Sequence, residues 1–374
     1  MVQLALTTLL AITLWLQPAL RAQTANSGEL PLNTGKEIYH AACVGCHGPE
    51  GKGMPLTTVG FETAFFPDFS ECSQSSREPN TDWKAIIHQG GPVRGFSEIM
   101  PSFTEALNPG QIEKVIEYIR RFCTDRSWPR GELNLPRPLI TEKAFPEDET
   151  VITTTINAEG APGVSSRIVY ERRFGAGNQI ELAVPFQFEH RNSGSWLGGV
   201  GDIDVGFKRL LFHNLKSGSI VSLFGEVVLP TGNRARGLGS GVTIFEVFAT
   251  YGQILPAKSF FQFQGGVELP TDRADAPKAV FWRSVLGKTF SQDKGFGRNW
   301  SPMVEVLADR DLIGGRKTNW DVVPQLMATL NKRQHLQASI GVRFPVNNTG
   351  SRSTQVLFFL LWDWFDGGLR DGWK

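Results

Sequence analysis

Cys43-Val44-Gly45-Cys46-His47 places two thiols and an imidazole at the spacing that covalent haem attachment requires. Two intervening residues set the sulfurs apart by the distance between the two haem vinyl groups, so each thiol can form a thioether. His47 then follows directly and is aimed at the iron. A zinc site would need further paired Cys or His at zinc-like spacing, and the chain offers none. The expected cofactor is therefore one covalently bound haem c, with Cys43, Cys46 and His47 as its anchors.

A sixth ligand must come from the opposite face. Met100, followed by Pro101, suits this role, because proline stiffens the backbone just after the thioether. Met54 and His88 compete. Met54 is only seven residues past His47, a short path around a haem edge. His88 sits on an expected helix, 82–88, behind Trp83, Ile86 and Ile87. Cys72 and Cys123 remain as an even pair, and in an oxidising compartment they are expected to form a disulfide.

Two helices must position these groups. Thr34 can cap a helix over 34–46 that runs into the haem motif, with Ile38, Tyr39 and Ala42 on one face. Near the other end, Asn108, Pro109 and Gln111 form a capping signature ahead of the stripe Ile112, Val115, Ile116, Ile119 and Phe122. With Gly35, Tyr39, the Cys43–Gly48 motif, the Met100-Pro101 loop and Tyr118, residues 34–123 resemble a class I c-type cytochrome. The resemblance implies an all-α domain that carries single electrons. It also implies that the first and last helices cross near Gly35 and Tyr118.

The remainder reads differently. Leu4–Leu16 is an apolar run of signal-peptide length, although Met1-Val2-Gln3 lacks the usual positive charge; cleavage is expected by Ala25. This gives an export signal at 1–25 and a cytochrome domain at 26–126. Residues 127–149 carry Pro129, Pro136, Pro138 and Pro146 and many charges, which reads as an extended, solvated linker, with an ordered strap packed along a domain as the alternative. From about 151 to 365 the hydrophobic period is two, within a domain expected over 150–374. Ile180, Leu182, Val184, Phe186 and Phe188, for example, alternate with Gln179, Glu181, Gln187 and Glu189.

About twelve such runs begin near residues 150, 166, 179, 202, 218, 242, 258, 278, 301, 319, 334 and 354. Long strands with a persistently polar face predict an antiparallel β-barrel with a wet lumen and a lipid-facing exterior. Glu181, Glu226 and Glu268 are then lumen-lining residues. Arg172, Arg209 and Arg283 break the alternation and mark interfacial girdles or weak strands. Val228–Gly232 and Glu268–Thr271 also resemble strand ends of an outer-membrane family associated with phenol meta-pathway degradation.

The expected molecule is thus multidomain: an all-α cytochrome c domain, periplasmic, followed by an outer-membrane β-barrel. Its expected work is electron transfer between a donor and an acceptor that the sequence does not name. Net charge is +1, so nothing favours nucleic acid as a partner. No G-x-S-x-G, H-E-x-x-H or phosphate loop is present, and no catalytic residue is assigned. The competing expectations are a redox enzyme with a soluble β-domain and a porin with a haem plug or sensor.

Overall fold

The computed structural model describes residues 32–59, 66–190, 194–291 and 299–373; the expected export signal lies outside them. The helical region comes first. Helix α1, Gly35–Ala42, starts in a reciprocal capping box. Thr34 Oγ1 accepts from the Glu37 N–H, and the Glu37 carboxylate accepts from the Thr34 N–H. Helix α2 spans Asn80–Gln89, and helix α3 spans Pro109–Ile119, capped by Asn108 and Gln111 in the same way. Ile38 and Tyr39 of α1 pack on Ile112, Val115, Ile116 and Ile119 of α3 in one apolar cluster. α1 and α3 cross in close contact at Gly35: a Cβ there would lie 2.0 Å from the Lys114 carbonyl oxygen. Tyr118 lies beside this crossing, as the resemblance implies. Cys72 and Cys123 are joined by a disulfide, with Cα atoms 5.1 Å apart.

Twelve long antiparallel strands follow and close on themselves. They are β1 Glu149–Asn157, β2 Gly163–Phe174, β3 Asn178–His190, β4 Ile203–Asn214, β5 Ser219–Leu229 and β6 Ile244–Leu255. Then come β7 Ser259–Pro270, β8 Ala279–Lys288, β9 Asn299–Asp311, β10 Asn319–Thr329, β11 Leu336–Pro345 and β12 Gln355–Asp363. Each pairs with its sequence neighbour, and β12 returns to β1, from Glu149↔Asp363 to Asn157↔Gln355. Two short segments extend the wall: Trp196–Val200 against β3 and Phe290–Ser291 against β9. Closure gives each of the twelve long strands, among the described residues, a neighbour on both sides, which the alternating sequence requires if its exterior is apolar.

The alternation resolves as the sequence predicts. Ile180, Leu182, Val205, Leu223, Val247, Leu286, Val304, Ile340 and Leu360 point outward, and Leu286 is 59% exposed. Their neighbours Gln179, Glu181, Ser222, Gln262, Glu305 and Gln325 are buried inside. Arg172 and Arg209 lie near one rim, where Arg172 faces the Trp364 ring at 5.2 Å and Arg209 donates to Asn178.

The segment read as a solvated linker is buried. Residues 133–147 run inside the barrel. Leu135 and Leu139 join a lumenal core with Val151, Phe260, Met327 and Phe359. Leu133, Ala144 and Phe145 pack on Leu210 and Ile220. The charges that suggested solvation are paired within the segment (Lys143 with Glu147), with the wall (Arg137 with Glu149 and Glu171, Glu142 with Lys208) and with the helical region (Asp148 with Arg77), so the segment is an ordered plug. Arg283 is neither girdle nor strand defect; it faces inward and donates to the plug carbonyl of Ile140 at 3.1 Å.

Candidate cofactor site and barrel lumen

After α1 the backbone breaks at Cys43 and resumes as one helical turn, Val44–His47. The Cys46 and His47 amides both donate to the Cys43 carbonyl, at 3.2 and 2.9 Å, so the whole motif is held as one turn. The turn ends at Gly48, whose φ of +72° lies in the region that favours glycine. The Tyr39 hydroxyl, buried, donates to the Gly48 carbonyl at 2.6 Å and ties the motif's exit to α1. These contacts fix where His47 points.

His47 sits against Phe69 at 4.9 Å and Phe66 at 6.0 Å between ring centroids. Its Nδ1 is buried without a hydrogen-bond partner. Burial pushes the imidazole down to about 4, so the ring is neutral near pH 7, the form that ligates a metal. Burial, reinforced by the neighbouring Cys46, pushes the Cys43 thiol up to about 11. Cys43 and Cys46 are both free thiols, half-buried.

Met100 is held by the end of α2. Its carbonyl accepts from the Gly91 amide at 2.9 Å, and Ser102 Oγ donates to the His88 carbonyl at 2.7 Å. Cys43, Val44, Met100 and Phe103 all pack against the one helical core, so the loop and the motif share a crevice floor. The Met54 amide donates to the Cys46 carbonyl at 2.9 Å, which keeps Met54 at the motif itself. His88 lies in the last turn of α2, where its carbonyl serves the Met100 loop.

This arrangement has a counterpart among known families. Residues 31–119 match the model described as cytochrome c oxidase, cbb3-type, subunit III. The chain carries a cytochrome c domain. A domain of this kind implies haem c, and the residues fit it: a half-buried imidazole whose buried Nδ1 has no hydrogen-bond partner, beside two free thiols and the aromatic rings of Phe66 and Phe69. No curated protein matches the sequence. Among solved structures, the chain is similar to an outer membrane channel from Pseudomonas putida F1, with 15% identity over 61% of this chain and 99% of that one, at a TM-score of 0.39. NanC porin gives 7% identity, 57% and 97% coverage and a TM-score of 0.39. KdgM porin gives 10%, 57%, 98% and 0.37. At such scores the likeness carries no argument about function.

The cytochrome domain rests on one rim of the barrel. Arg333, between β10 and β11, donates to the Gly95 carbonyl at 2.6 Å and lies over the Phe96 ring at 4.4 Å. Arg77 pairs with Asp148 and covers the Phe365 ring at 3.8 Å. Gly131 follows this contact and donates its amide to Ser76 at 2.7 Å. From there the chain enters the lumen.

The lumen is where sequence reasoning missed most. Glu305, fully buried on β9, is the central acceptor for the plug. Its Oε1 takes the Leu139 and Ile140 amides at 2.9 and 3.1 Å, and its Oε2 takes the Thr141 amide and hydroxyl at 2.8 and 2.6 Å. Gln264 accepts from the Glu142 amide at 3.0 Å, and Gln179 from the Glu147 amide at 2.7 Å. Gln262 donates to the Pro136 carbonyl at 2.8 Å. The signal in the sequence was the apolar set Leu133, Leu135 and Leu139, which a solvated linker does not need. Glu181 and Glu226 are buried inside the barrel, and Glu268 lies on the same inward face of its strand.

Proposed function

We propose that this protein is an electron carrier whose cytochrome domain faces the periplasm and is fixed there by an outer-membrane barrel. Cys43 and Cys46 would tether a single haem c, and His47 and Met100 would hold its iron. Such a group cycles between two iron oxidation states, and its potential is raised by thioether ligation. The chain's own contribution is to hold a neutral His47 and shield it with Phe66 and Phe69. The observation that carries the reading is the buried, unpartnered His47 nitrogen inside a domain that matches a cytochrome family.

The membrane assignment rests on the exterior. Outward side chains on β2 to β12 form an apolar belt, while the inward face is polar, the pattern a lipid-embedded barrel demands. Orientation follows from the connections. The rim that carries the cytochrome domain has tight turns at 175–177, 215–218 and 256–258. The opposite rim has long ones, at 191–202 and 230–243. Outer-membrane barrels keep short turns on the periplasmic side. The plug makes the barrel an anchor with a closed lumen, which favours the carrier reading over a porin.

Separated inner and outer membranes, stained for haem and then mixed with a reduced small periplasmic cytochrome, test this directly. The expected result is a haem-positive band in the outer membrane that exchanges electrons reversibly. A Val151–Lys374 fragment that is soluble and monomeric without detergent overturns the membrane anchor. A haem that exchanges with no periplasmic carrier overturns the carrier role.

A further inference from the structure

The lumen wall holds a row of carboxylates that strand pairing alone would not tolerate. Glu171 is directly opposite Glu181, and Glu181 is opposite Gly206. Gly206 is opposite Glu226, Glu226 is opposite Glu246, and Glu246 is opposite Glu268. Five glutamates thus occupy one register line across β2 to β7, with glycine at the sixth place. Like charges directly opposite each other are destabilising, so the row needs compensation. The local cations supply part of it. Arg137 serves Glu142, Glu149 and Glu171; Arg167 serves Glu181, Asp204 and Glu226; Lys208 serves Glu142. Six carboxylates share three cations, and Lys143 reaches Glu149 only at 3.7 Å.

At one end of the row the geometry becomes specific. Glu142 of the plug, Glu171 of β2 and Glu181 of β3 each bring a carboxylate oxygen within 4.8 Å of the other two. Glu171 is fully buried and Glu181 is 5% exposed. Glu171 Oε2 and Glu181 Oε2 are buried with no hydrogen-bond partner. A buried carboxylate oxygen without a donor is costly, and two of them face each other across adjacent strands. Glu142 and Glu181 also border a cavity of about 160 Å³ that leaves room for water ligands.

We propose that Glu142, Glu171 and Glu181 bind a hard divalent cation of the calcium class, which ties the plug to the barrel wall. An all-oxygen, all-carboxylate donor set selects such ions over zinc or copper, and calcium accepts the irregular geometry and the remaining water ligands. Two positive charges offset most of the local excess. Glu142 lies on the plug and its two partners on the wall, so the ion is a clasp. Its removal frees the plug around Glu142 while Glu305 still holds Leu139 to Thr141.

The test uses the full-length, haem-loaded protein in detergent, stripped with chelator and titrated with calcium chloride by calorimetry. Bound calcium is counted by mass spectrometry, separately from haem iron. About one calcium per chain is expected. Glu181→Gln and Glu171→Gln should each weaken binding about tenfold or more. Glu268→Gln, on the same row but outside the triad, should leave it unchanged. Heat-modifiable gel mobility confirms that each barrel is folded; if one triad variant fails to fold, the other decides. Absence of stoichiometric calcium in the native protein overturns the proposal. So does a Glu268→Gln loss equal to that of a folded triad variant, which would indicate a diffuse field. None of these readouts depends on the haem assignment.

Discussion

Replacing Glu305 by alanine isolates what holds the plug to the barrel wall. In the native protein this carboxylate accepts the amides of Leu139, Ile140 and Thr141 and the Thr141 hydroxyl, all from the plug. Leu139 keeps a second acceptor, Gln325 Oε1 at 3.0 Å. The Thr141 hydroxyl can rotate. The Ile140 and Thr141 amides of the plug are left stranded, as is Gln325 Nε2 on the wall, which donates to Glu305 Oε1 in the native protein. A buried donor without a partner costs about 1–3 kcal/mol, so the docked plug loses about 2–6 kcal/mol in the variant. The barrel ladder does not pass through this side chain, so the wall should survive. The plug instead leaves the wall and its amides hydrate, which caps the loss. Glu305→Gln keeps one carbonyl oxygen and should cost about half as much. Single-channel conductance in planar bilayers, with hydrogen exchange over 138–142, reads both parts. The native protein should be closed and protected; Glu305→Ala should conduct and exchange faster. A variant that stays closed with native protection would refute the view that this acceptor holds the plug.

Three further outcomes follow from named contacts. Met100→Ala should abolish the far-red sulfur-to-iron band of the oxidised protein and lower its potential, whereas Met54→Ala should leave both unchanged; the reverse pattern reassigns the ligand. Reduction of Cys72–Cys123, which closes a separation of 51 residues, should destabilise the cytochrome domain by up to about 4 kcal/mol in urea titrations, and no shift would contradict that. At the rim, burial and the carboxyls of Asp366 and Asp82 push the Glu78 carboxyl well above its ordinary range, against Arg94. Docking thus favours the protonated Glu78 carboxyl over the ionised one. Docking is fully stable below about pH 4 on this account and weakens as pH rises through the raised value. Hydrogen exchange at Gly95 and Gly372, corrected for intrinsic rates, should therefore accelerate from acid to neutral pH; a flat profile counts against it.

How far the sequence spoke depends on whether partners are local. The Thr34 cap and the Asn108 and Gln111 signature are local in sequence, so both could be read directly and both are formed. The strand alternation is likewise local, and twelve strands result. The plug was not legible, because the partners of Leu139 to Thr141 are 164 to 186 residues away. Charged residues between prolines look solvated until the wall that neutralises them is known. Arg283 was misread for the same reason: its acceptor, Ile140, is on the plug. The Glu171 to Glu268 row needed the register as well, since each member alone is an ordinary inward glutamate.

The central claim is that Cys43 and Cys46 covalently carry a haem ligated by His47. Mass spectrometry of the peptide containing Cys43–His47, purified after acid–acetone extraction, tests it most directly. One haem mass added through two thioethers is expected, with a c-type reduced spectrum in the intact protein that His47→Ala alters. A peptide of unmodified mass with two free thiols, from cells that mature other c-type proteins, would contradict it.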